Sequence, residues 1–187
     1  MSRFLALVTL IACDAGAKTT PPAPPAPVVK AQVTPPAPVA TPPAPAVAGH
    51  VLLASLQRGA CYGTCPIYTV TVYRDGKVEY DGEEYVKKKG KATGTVTPAQ
   101  MAALDKLFTD DHYLAYNTEY THYDVTDNPS AKTAYRPLGA TKTKTVDHYY
   151  GDMKAPESLS KLEEQFDTIV QTDRWIGTRA ERDKLER

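Results

Sequence analysis

Ile67-Tyr68-Thr69-Val70-Thr71-Val72-Tyr73-Arg74-Asp75-Gly76-Lys77-Val78-Glu79-Tyr80-Asp81 is the stretch that decides the fold. Its first seven residues are β-branched or aromatic, which suits a pleated, half-buried strand. Asp75-Gly76 then marks a hairpin turn. The register follows from the side chains. A two-residue loop at Asp75-Gly76 would set Val70 and Val72 on one face with Asp81 and Glu79. A three-residue loop, Arg74-Asp75-Gly76 with Gly76 left-handed in a bulge, pairs Val72 with Val78 and Val70 with Tyr80. Only the second keeps one apolar face, and a slip of one residue inverts every side chain. The bulged loop is therefore expected.

Working outward, Val51 to Leu56 reads as a short apolar strand before this hairpin. Lys87-Lys88-Lys89-Gly90-Lys91 reads as the turn after it, and Ala92 to Val96 as a further strand. Thr97-Pro98-Ala99-Gln100 carries three agreeing helix-start signals: a Thr N-cap, Pro at the first helical position and Gln to close a capping box. Met101, Leu104, Leu107 and Phe108 recur at helical spacing until Asp110-Asp111-His112. Tyr113 to Pro129 is polar and tyrosine-rich and reads as a long loop. Ala131 to Tyr135 and Thr141 to Tyr149 suggest a hairpin around Pro137-Leu138-Gly139. Pro156 opens a second helix, with Leu159, Leu162, Phe166, Ile169 and Val170 on one stripe. Strands, helix, strands, helix is an α+β order: an antiparallel sheet of about five or six strands with two helices packed on one face.

Residues 50–177 hold this domain, some 128 residues and enough for one core. Residues 178–187 form a charged tail. In front lies a different composition. From Thr19 to Gly49 the chain is almost wholly Pro, Ala, Val and Thr with one lysine, Lys30, and holds eleven of the 16 prolines. Proline lacks the amide donor and fixes φ, so neither helix nor ladder is expected there. An extended polyproline II spacer of 31 residues reaches roughly 90 Å. A docking ligand for a proline-recognising partner is the alternative.

The first twelve residues read as an address. Arg3 is a short positive region and Phe4 to Ala12 an apolar run of nine, too short for a bilayer core that needs about 20. Leu10-Ile11-Ala12-Cys13 resembles the bacterial lipoprotein lipobox. That resemblance implies cleavage before Cys13, acylation of its thiol, and a membrane partner reached through the lipid; more than one acyl chain is needed for stable anchoring. The domains so read are a signal peptide at 1–12, a lipidated cysteine and linker at 13–49, then the folded part. The implied address is the bacterial cell envelope, with the choice of membrane left open.

The most distinctive stretch is Arg58-Gly59-Ala60-Cys61-Tyr62-Gly63-Thr64-Cys65-Pro66-Ile67-Tyr68. It resembles an uncharacterised family of bacterial secreted proteins and lipoproteins, a domain of unknown function. That family's signature is Cys, aromatic, Gly, any residue, Cys-Pro, any residue, Tyr, followed by a strand and an Asp-Gly hairpin. Thr126-Asp127-Asn128-Pro129 and Trp175-Ile176-Gly177 are similar to further parts of it. The resemblance runs from about residue 51 to 177 and implies the fold and the envelope address, but no activity.

Read as chemistry, Cys61 and Cys65 are the pair that remains once Cys13 is acylated, in a compartment where thiols pair. Gly63 between them allows a tight turn, so a structural disulfide is expected. A redox-active pair is the alternative, although the spacing is not Cys-x-x-Cys and no basic residue lies between them to lower a thiol pKa. Metal ligation would need two more ligands, and His112, His122 and His148 show no ligand spacing. No metal is expected. Tyr62, Tyr116, Tyr120, His122, Tyr123 and Asp127 form a candidate binding loop, since aromatic and polar loops suit recognition. The competing readings are rings that pack on the sheet and, for Asp127, turn chemistry. Lys87 to Lys91 could touch an anionic surface or simply guard a strand edge.

Composition narrows the function classes. Twenty-two basic residues balance 22 acidic ones, so no basic footprint for nucleic acid exists. No serine sits in a nucleophile elbow. No phosphate loop or dinucleotide fingerprint occurs, and no cofactor is expected. The function read from this is a lipid-anchored envelope domain, a non-enzymatic binding or structural module facing an envelope protein or cell-wall ligand. The alternative is an envelope redox factor or enzyme using Cys61 and Cys65.

Overall fold

The computed structural model describes residues 49–182 and 184. The expected signal peptide, the lipid site at Cys13, nearly all of the linker and the last residues of the tail lie outside them. Seven strands form one sheet: Leu52–Arg58 (β1), Ile67–Tyr73 (β2), Lys77–Glu84 (β3), Gly90–Thr95 (β4), Glu119–Tyr120 (β5), Ser130–Tyr135 (β6) and Lys144–Tyr149 (β7). Their order across the sheet is β4-β3-β2-β1-β6-β7-β5, antiparallel except for the β5–β7 pair. Two long helices, Pro98–Asp110 (α1) and Glu157–Val170 (α2), pack together. Asp173–Ile176 (α3) and Arg179–Arg182 (α4) are single turns.

The hairpin register is the bulged one. Val72 opposes Val78, Val70 opposes Tyr80, and Gly76 has φ of +84°. Tyr68, Val70 and Val72 therefore face the core with Val78 and Tyr80, while Thr69, Thr71, Glu79 and Asp81 face outward. Across β1 the same face carries Ala54, Leu56 and Arg58, and across β6 it carries Tyr135, Thr133 and Ala131. One side of the sheet is thus covered by helices and the other is polar and open.

The α1 start carries the full capping box, with Thr97 accepting from the Gln100 amide and the Gln100 side chain accepting from the Thr97 amide. Gln100 also donates to the Ile169 carbonyl at 2.6 Å, joining α1 to α2. Arg74, the first residue of the hairpin loop, is clamped by both oxygens of Asp105 on α1. Trp175 stacks on Tyr80 with ring centres 5.0 Å apart, and the carbonyls of Trp175 and Ile176 accept from the amides of Lys88 and Lys87. The closing Trp-Ile-Gly segment thereby pins the lysine turn.

Two expectations change. The sheet has seven strands, not five or six, because β5 lies inside the segment read as a loop. Two residues are too few for alternation to show; their place is set by tertiary pairing, with the Asp147 amide donating to the Thr118 carbonyl at 2.9 Å. Strand β1 also runs on through Gln57 and Arg58, whose charge is compensated from α2.

Gly76→Val tests the register. A side chain there is strained at positive φ and meets the Val96 carbonyl at 3.0 Å. Denaturant unfolding should show a loss on the order of 1–2 kcal/mol; an unchanged midpoint would contradict the bulged turn.

Candidate functional site

At the end of the sheet where β1 leaves and β6 enters, a groove of about 600 Å³ opens on the polar face. Its floor is Gln57, Ser130, Lys132, Asp147 and Tyr149, from the outward positions of β1, β6 and β7. One wall is the cysteine loop, with Cys61 and Tyr62. The other is the tyrosine loop, with Thr121, Tyr123, Asp127 and Asn128.

Each wall is held by identifiable contacts. The sulfurs of Cys61 and Cys65 lie at disulfide distance, their Cα atoms 5.8 Å apart. The chain enters that loop through Gly59, whose amide donates to the Ser130 carbonyl at 2.8 Å. The tyrosine loop is hung from β7 and the turn after it. The Tyr149 hydroxyl donates to the Val125 carbonyl and accepts from the Asn128 amide. The Val125 amide donates to the Gly151 carbonyl, and Asp152 accepts from the His122 amide. A Cβ on Gly151 would collide with the Val125 carbonyl, so only glycine lets the loop come this close. The Tyr62 amide donates to the Asp127 carbonyl, tying one wall to the other.

The six candidate loop residues separate into groups. Tyr62, Tyr123 and Asp127 come together at the groove. Tyr62 is 88% exposed and Tyr123 74%, with the Tyr123 ring 4.5 Å from that of Tyr149. Asp127 has φ of +66° and accepts from the Thr126 hydroxyl, so it also serves the turn. Tyr116 and Tyr120 are packed inward instead. The Tyr116 hydroxyl meets Asp111 and Ser158, and burial pushes its pKa up to about 12. Tyr120 is buried, its oxygen accepting from the Asn117 amide. His122 is exposed but does not line the groove. Among the described residues no three His, Cys, Asp or Glu side chains are grouped to hold a metal ion.

Beneath the groove, on the helix side, lies a polar network that the sequence reading did not single out. Arg58 donates through Nε and Nη2 to Asp167 Oδ2, at 3.2 and 2.8 Å, and through Nη1 to the Tyr150 hydroxyl. Tyr68 and Thr172 donate to the other Asp167 oxygen at 2.7 and 2.8 Å. Tyr150 donates to Glu163, whose second oxygen lies 3.0 Å from His148 Nδ1. Glu163 is fully buried. Burial opposes the charge on Arg58, but Asp167, Tyr150 and Tyr68 outweigh it and hold its pKa above the ordinary value. Burial, reinforced by Asp167, raises Tyr68. Burial likewise raises Tyr150 against the opposing pull of Arg58, so both phenols stay protonated donors. The available signal was on α2: Glu163 falls on the apolar stripe between Leu159 and Phe166, and Asp167 follows it by four residues. A carboxylate on a buried stripe demands a buried cation or donor.

The disulfide can be tested on the intact chain. Cys61→Ser with Cys65→Ser should lower unfolding free energy by about 2 kcal/mol, the chain-entropy value for so short a loop, and leave the fold intact. Two alkylatable thiols at Cys61 and Cys65 in the unreduced protein would contradict the bond.

No curated protein matches the chain. Residues 53–170, which include both groove walls, the sheet and α2, match the domain of unknown function DUF6438, and the chain belongs to that family.

Proposed function

We propose that this chain is a lipid-anchored binding module of the bacterial cell envelope, tethered through Cys13 and reaching its ligand through the groove. The observation that carries the binding half is the pair of exposed tyrosines, Tyr62 and Tyr123, standing on opposite walls of one groove. A tyrosine ring offers a large amphipathic contact surface and loses little side-chain entropy when it binds. The Tyr123 ring rests against Tyr149, and the backbone carrying Tyr62 is fixed by the short loop between Cys61 and Cys65, which lowers the ordering cost of binding. The groove's charged groups are already engaged, Lys132 with Asp147 at 3.0 Å and Asp127 with Thr126. That arrangement suits holding a ligand rather than moving protons.

The anchoring half rests on Leu10-Ile11-Ala12-Cys13 at the end of a short apolar run, and the proline-rich composition of residues 19–49 supports a spacer that gives the groove its reach. The competing reading, a redox factor using Cys61 and Cys65, draws on the fact that Cys61 lines the groove. A reduction potential in the range of thiol oxidoreductases would favour it; a potential resistant to the glutathione range favours the binding module.

Cys13→Ala should move the protein from the membrane fraction to the soluble one or block its processing. In that soluble form, Tyr62→Ala with Tyr123→Ala should abolish co-sedimentation with isolated envelopes without shifting the melting temperature. A mature chain starting at Cys13 with no added acyl mass would contradict the anchor. Co-sedimentation that ignores both tyrosines would contradict the groove.

A further inference from the structure

We infer that the groove takes an uncharged glycan chain, gripped by stacking of pyranose rings on Tyr62 and Tyr123. The inference rests on the groove being the binding site and names its ligand class.

Three features of the walls and floor select this chemistry over the alternatives. The first is the floor. β1 lies between β2 and β6, β6 between β1 and β7, and β7 between β6 and β5. Their backbone donors and acceptors are used in the ladders, so a peptide cannot extend the sheet here, and recognition falls to side chains.

The second feature is charge. Lys132 is the one cationic side chain among the groove-lining residues, and it is paired with Asp147; Asp127 adds a further carboxylate. One positive against two negative groups gives no site for a polyanion, which disfavours nucleic acid and phosphate polymers.

The third is the pairing of apolar and neutral polar surface. A pyranose ring has an apolar C–H face and a rim of hydroxyls. The tyrosine faces carry the negative part of the ring quadrupole and match the C–H face. The Gln57 amide and the Thr121 and Ser130 hydroxyls line the same groove, and their side chains make no hydrogen bond among the described residues. An amide and a hydroxyl both donate and accept, as sugar hydroxyls do.

The test uses the full chain in detergent micelles, titrated calorimetrically with cellohexaose and with chitohexaose. Both are uncharged, and they differ at the 2-position, so the two arms separate a plain glucan from an N-acetylated cell-wall type of glycan. Saturable binding of at least one is expected. Tyr62→Ala and Tyr123→Ala should each weaken it about tenfold or more. Tyr62→Phe should retain it, and thermal midpoints should not move because both rings are exposed. Failure of both hexasaccharides to bind at millimolar concentration overturns the inference, as does binding that neither alanine variant weakens. If neither sugar binds while envelope co-sedimentation still depends on both tyrosines, the groove stands and the glycan assignment alone fails. If co-sedimentation is also insensitive to them, both fail.

Discussion

Arg58 is the group on which the groove end of this fold depends. It ends β1, and the next residue begins the cysteine loop. Its guanidinium is turned toward the helix side and held by Asp167 and Tyr150, with Glu163 3.8 Å away. Tyr150 follows Tyr149, the residue whose hydroxyl hangs the tyrosine loop, and His148 on its other side faces Glu163. His148 and, just past the end of β7, Tyr150 thus meet the network, while the Tyr149 hydroxyl between them holds the tyrosine loop. Both groove walls grow from residues next in the chain to members of this buried network, Gly59 after Arg58 and Tyr149 between His148 and Tyr150.

We read this network as positional rather than as a large source of stability. Two carboxylates, a guanidinium and an imidazole withdrawn from water carry a desolvation cost that their mutual attraction roughly offsets, and an apolar replacement of matching shape is often no less stable. What apolar side chains lack is direction. The planar fork of Arg58 engages one oxygen of Asp167 and the Tyr150 hydroxyl at once, which ties α2 to the end of β1 and to the residue after β7. The apolar core elsewhere, from Val70 and Leu56 to Leu104, Phe108 and Phe166, carries most of the burial.

The fold was largely legible in the sequence because its signals are local. The bulged turn at Gly76 followed from keeping Val70 and Val72 on one face with Tyr80 and Val78. The α1 start followed from Thr97, Pro98 and Gln100. The groove was legible only in part. Tyr62, Tyr123 and Asp127 do meet there, yet Tyr116 and Tyr120 from the same tyrosine-rich segment are packed inward. Composition marks such a segment as aromatic without saying which rings face water. That choice is made by β5, a two-residue strand with no periodicity to read, and by the docking of the loop on Tyr149 and Gly151. Arg58 lies more than a hundred residues before Glu163 and Asp167 in the chain, so their union is a product of topology. Only the carboxylate of Glu163 on an apolar helical stripe hinted at it.

Hydrogen exchange in an Arg58→Lys variant tests the account most directly. Lysine keeps the buried charge, so the domain should fold, but it cannot reproduce the fork that reaches Asp167 and Tyr150 together. The amides of Tyr62 and Val125, which donate to Asp127 and Gly151, should exchange about tenfold faster, as expected when a charge-assisted hydrogen bond is lost. Amides of the β2–β3 hairpin should keep their protection. Unchanged protection at Tyr62 and Val125, or equal acceleration in the hairpin, would contradict the claim that the buried network holds the groove.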